Sequence, residues 1–127
     1  LELDHPGGPL TPAEVEALDS TLLPALERHH LRLLAHALRS LQLAAGRQHG
    51  ALPGARALNL WALQHPAVAA APDFAQAFVA QLQKLGEEIE AIACARGREP
   101  LGLTLAELAD WARSQADRRI DGHTAGR

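Results

Sequence analysis

The segment Phe78-Val79-Ala80-Gln81-Leu82-Gln83-Lys84-Leu85-Gly86-Glu87-Glu88-Ile89-Glu90-Ala91-Ile92 sets Phe78, Leu82, Leu85, Ile89 and Ile92 at 4-3-4-3 spacing. An α-helix returns to the same face at that interval, so these five side chains form one apolar seam. A seam of this kind packs at a shallow angle against neighbouring helices. It is too short for a free-standing coiled coil, and packing in a helical bundle is the better reading. The helix extends back to Pro72-Asp73, where Asp73 faces the positive end of the helix dipole. Gly97 closes it and Pro100 forbids continuation.

The composition agrees with helices throughout. Alanine and leucine dominate, with two Phe, two Trp and no Tyr. Val15, Val68, Val79, Ile89, Ile92 and Ile120 are the only valines and isoleucines, which disfavours strands. At 127 residues the chain suits one domain with a core of its own. The expected fold is therefore all-α, a small bundle of four to five helices, two of them long.

The other helices follow from their start and stop signals. Thr11-Pro12-Ala13-Glu14 is a capping box that opens a helix over about 12–22. Pro24 breaks or sharply kinks it, and the longest stripe follows over 24–47. There Leu23, Leu26, His30, Leu33, Leu34, Ala37, Leu41 and Ala44 share one face, which Leu31, Ala35, Leu38 and Ala45 widen. So wide a face predicts two neighbours and a homodimer. A shorter helix over 54–64 buries Leu58, Trp61 and Ala62, and His65-Pro66 ends it before a connector over 66–71. The last helix starts at a second capping box, Thr104-Leu105-Ala106-Glu107, and runs to about Arg118. Residues 1–9 read as a flexible leader, 10–120 as one helical domain and 121–127 as a frayed tail. The chain starts at Leu1 without methionine, which fits a start inside a longer gene product or after a processed tag.

Charge is segregated along the chain. Between Arg28 and Pro72 there is no Asp or Glu, but there are five arginines (Arg28, Arg32, Arg39, Arg47, Arg56) and five histidines (His29, His30, His36, His49, His65). The formal net charge is only -3, so the protein as a whole is not basic. A ridge of Arg28, Arg32, Arg39 and Arg47 with His36 is the candidate partner or anion site. It can also be a solvated face, or neutralise Glu87, Glu88 and Glu90 within the bundle. Arginine suits bidentate contact with carboxylate or phosphate. Scarce aromatics and the negative net charge weigh against nucleic acid.

Other chemistry is weakly represented. His29 and His30 are adjacent and point about 100° apart, and His29 and His36 lie roughly 10 Å apart along the axis, so no pair chelates on one helix. No metal and no cofactor is expected. His30, mid-stripe among leucines, reads as a neutral core histidine or a pH-sensitive position. Ser40 has His36 one turn away but no carboxylate nearby. Cys94 is the one cysteine, which excludes an intrachain disulfide and suits a reducing compartment. No apolar run approaches a membrane span, and a soluble, cytoplasmic chain is expected. Arginine-for-lysine usage and abundant alanine point to a GC-rich bacterial genome. The functional reading is a small non-enzymatic interaction or regulatory module with an acidic protein partner. The alternative is a nucleic-acid-binding regulator using the basic segment 28–72.

Overall fold

Thr11 begins the ordered helices as its sequence dictates. Its hydroxyl accepts from the Glu14 backbone N–H at 3.1 Å, and the Glu14 carboxylate accepts from the Thr11 N–H at 3.0 Å. Thr104 repeats this with Glu107 at 3.1 and 2.9 Å. In this computed structural model, residues 10–64 and 72–125 are described. Among them are five α-helices and no strand: α1 (Pro12–Asp19), α2 (Ala25–Ala45), α3 (Ala55–Leu63), α4 (Pro72–Arg96) and α5 (Leu105–Ala125), with a 3-10 turn at Pro100–Gly102. The all-α class is as read from the sequence. The leader 1–9 and the connector 66–71, with His65, lie outside the described residues.

Pro24 separates α1 from α2 as expected, and Leu22 turns the chain there with φ +60 and 91 % exposure. Helices α2 and α4 both end on glycines in the left-handed region, Gly46 at φ +73 and Gly97 at φ +67. At each, the next residue donates back across the end of the helix, Arg47 to the Gln42 carbonyl and Arg98 to the Ala93 carbonyl. Glycine takes this backbone shape without the Cβ clash other residues meet. Two boundaries differ: α1 ends at Asp19, short of the expected 22, and the last helix runs on. Helix α5 does not stop near Arg118 but continues to Ala125, so the segment expected to fray from Asp121 is helical that far, and long helices number three. No proline follows Thr104, and a lone Gly122 weakens a helix without breaking it.

Two compact units form, with α2 contributing residues 25–36 to one and 37–45 to the other. The first unit contains α1, the first half of α2, and α5. Its core is Leu10, Leu18, Leu23, Leu31, Leu34, Ala35, Leu108, Ala112 and Ala116. The second contains the rest of α2, then α3, α4 and the 3-10 turn, with α3 and the turn both packed on α4. The seam lies inside this unit: Leu82, Leu85, Ile89 and Ile92 are buried, and Phe78 is half-buried at its end. Gly86 faces the same core, where an added Cβ would meet Leu52 Cδ1 at 3.3 Å and Leu41 Cδ1 at 3.6 Å.

The buried stripe of α2 is rotated from the one read in the sequence. Leu26 is 64 % exposed, Leu33 and Ala44 are half-buried, and Glu27, Leu31, Leu34, Leu38 and Leu41 point inward. An inward carboxylate contradicts hydropathy alone, and its reason is a partner: Arg119 of α5 grips Glu27.

Candidate functional site

In the first unit, the rotation of α2 leaves Leu26 and His30 beside α5 instead of within the core. The His30 ring lies tilted against Trp111, with centroids 6.1 Å apart. Leu26, Glu27, His30, Trp111, Ala112 and Gln115 line an open groove of about 230 Å³. Glu27 and Arg119 form two hydrogen bonds, from Nε at 2.5 Å and from Nη2 at 2.9 Å. That charged bond holds the Glu27 carboxyl below the usual carboxylate range, against the opposing pull of burial. His30, read as a core histidine, is half-buried in the groove wall.

The predicted ridge is divided by the fold. In the first unit, Arg28 Nη1 donates to the Leu23 carbonyl at 3.3 Å, and Arg32 stands 3.6 Å from Asp19 with both side chains about half exposed. A guanidinium has five N–H donors, so one such contact leaves capacity for another acceptor. His36 lies one turn beyond Arg32. Burial holds its imidazole below the ordinary value, and the Arg32 charge adds to this.

Arg39 and Arg47 have structural work in the second unit. Arg39 Nη1 donates to Gln42 Oε1 at 2.8 Å, and Gln42 Nε2 donates to the buried Leu101 carbonyl at 2.9 Å. Arg47 Nη1 donates to the His49 carbonyl at 2.5 Å and the Ala51 carbonyl at 2.9 Å, holding the loop after α2. Glu99 accepts from the Gly50 N–H at 3.1 Å, and the Leu101 N–H donates to the Gly50 carbonyl at 3.1 Å. These bonds tie that loop to the 3-10 turn. On α3 and α4 the Phe78 ring stacks between Trp61 and Phe74, 6.0 Å from each.

Glu27, Trp111, Gln115 and Arg119 were not singled out by sequence reasoning. One signal was present: Glu27 stands four residues before Leu31 and seven before Leu34, on their helical face. Among the described residues no three His, Cys, Asp or Glu side chains gather as a metal site. His65, the last histidine of the acid-free segment, lies outside the described residues. No described helix is long and apolar enough to cross a membrane.

The fold and this surface define a small all-α protein with an open groove between two helices of its first unit. Over residues 10–119 the chain matches the family described as NDH complex assembly factor CRR9, and it belongs to that family. No curated protein and no solved structure matches it.

Membership corrects the functional reading of the sequence. A generic interaction or regulatory module is replaced by a family with a specific assembly role, and the nucleic-acid-binding alternative on segment 28–72 falls with it. Arg28 and Arg32 belong to one compact unit, and Arg39 and Arg47 to the other, where they bond Gln42 and the His49 and Ala51 carbonyls.

Proposed function

We propose that this chain serves the assembly of an NDH complex by holding a protein component of acidic surface, without catalysing a reaction. The observation that carries this reading is the family match over residues 10–119. Arg28 and Arg32 support an acidic partner, because each retains donors on the half-buried face of α2. Ser40 supports a non-catalytic role: the serine one turn from His36 is buried at 6 % exposure, beyond a substrate's reach. Deleting the gene and resolving membrane and soluble fractions on native gels tests the reading. The expected result is loss of assembled NDH complex with its subunits accumulating apart. Undiminished complex in the deletion strain overturns it.

Self-association is a second reading, favoured by Leu60, Leu63 and Phe74, all more than half exposed in the second unit. Light scattering at high protein concentration tests it, and a monomer mass overturns it.

A further inference from the structure

We infer that the groove of the first unit, with the outward arc of α2 beside it, is the docking site for an acidic amphipathic helix of a partner protein. This inference rests on the protein-binding reading above and adds the place and the chemistry of contact. Helical geometry advances about 100° per residue. The outward arc of α2 therefore passes from Arg28 and Arg32, through His36 and His29, to Leu33 and Leu26. One edge is cationic and the other apolar. The apolar edge opens onto the groove, where His30 and Trp111 stand as a wall and Ala112 leaves room for one large apolar side chain.

Charge decides the occupant. No carboxylate stands on this arc, and the nearby Glu27 and Asp19 already face Arg119 and Arg32. An amphipathic helix with an apolar stripe sets one anchor side chain in the groove, and its glutamates or aspartates reach Arg28 and Arg32. A lysine-rich helix meets the same arginines with like charge. So does a second copy laid antiparallel, which brings cationic edge against cationic edge.

Two synthetic helical peptides test this. Both carry leucines at 4-3 spacing, one flanked by glutamates and the other by lysines. In a Trp61→Phe chain, Trp111 is the remaining tryptophan and reports on the groove directly. The glutamate peptide should bind saturably and shift Trp111 emission, with the lysine peptide at least about tenfold weaker. Leu26→Glu with His29→Glu, both exposed positions, should weaken the glutamate peptide by about tenfold or more while leaving helicity unchanged. Ile120→Glu, about 180° around α5 from Trp111, should leave binding unaltered. Arg28→Glu with Arg32→Glu should reverse the preference toward the lysine peptide, a change that loss of fold cannot produce.

Equal binding of the two peptides, a silent Trp111, or full affinity in the folded double variant overturns the proposal. A dimer that the double variant abolishes also overturns it, in favour of a second copy. In cells the two readings separate. If deletion removes the NDH complex and the Leu26→Glu/His29→Glu chain restores it fully, the site is wrong and the assembly role stands. If deletion leaves the complex intact, the assembly role itself fails.

Discussion

The Arg119 guanidinium holds the Glu27 carboxylate through two hydrogen bonds, joining residues 92 apart in sequence. Glu27 is 8 % exposed, so its charge depends on this partner. Because the folded carboxyl titrates below its ordinary range, folding favours the ionised form. The contribution is complete above the unfolded pKa and is lost as pH falls through the lowered folded value. Glu27→Gln should therefore flatten the acid limb of a Tm-against-pH curve. Arg119→Gln should lower Tm at neutral pH more than Glu27→Gln does, because it leaves a buried carboxylate unpaired. An acid limb unchanged in Glu27→Gln would detach this pair from stability.

The seam of α4 predicts a cavity penalty. Leu85 is 7 % exposed between Leu82 and Ile89, and truncation there leaves space that a close-packed core refills only partly. Leu85→Ala should cost about 2–5 kcal/mol in urea unfolding. A midpoint within error of the wild type would remove Leu85 from the core.

Gln42 predicts a polar penalty of a different kind. Its amide donates to the Leu101 carbonyl while its oxygen accepts from Arg39, and the side chain is 6 % exposed. Gln42→Glu keeps the shape and the acceptor for Arg39 but cannot donate when ionised. A buried carbonyl left without its donor costs about 1–3 kcal/mol. Chemical denaturation should show that loss, and amide exchange should quicken at Leu101, whose N–H is bonded to the Gly50 carbonyl at 3.1 Å. Unchanged exchange at Leu101 would mean that Gln42 does not hold the turn.

These residues mark what sequence could and could not disclose. The seam Leu82–Leu85–Ile89–Ile92 and the two capping boxes depend on residues within a few positions of one another, so local spacing sufficed. For the rotation of α2 the one local sign was Glu27 in register with Leu31 and Leu34, and the partner that lets it point inward, Arg119, stands 92 residues away. Hydropathy assigned that inward position to leucines and put His30 in the core. The candidate ridge fared similarly: its charges were visible, but the tasks of Arg39 and Arg47 depend on a glutamine and carbonyls that folding brings to them. Trp111 gave no local sign of the groove, since its value there comes from His30 on another helix.

His36 carries the last prediction, and its sign follows from two causes acting together. Burial disfavours the imidazolium, and the Arg32 charge one turn away disfavours it further. The folded pKa is therefore below the unfolded one, and the unfolded chain takes up a proton first as pH falls. Stability from this site is complete above the ordinary histidine range and declines as pH drops through that range toward the lowered folded value. Arg32→Gln removes the second cause and leaves the first, so the His36 resonance in an NMR titration should move part of the way back toward the ordinary value. Replacing His36 by Gln should remove its share of the acid-side decline in stability. If Arg32→Gln leaves the His36 titration where it was, burial alone sets it, and Arg32 exerts no measurable field at that ring.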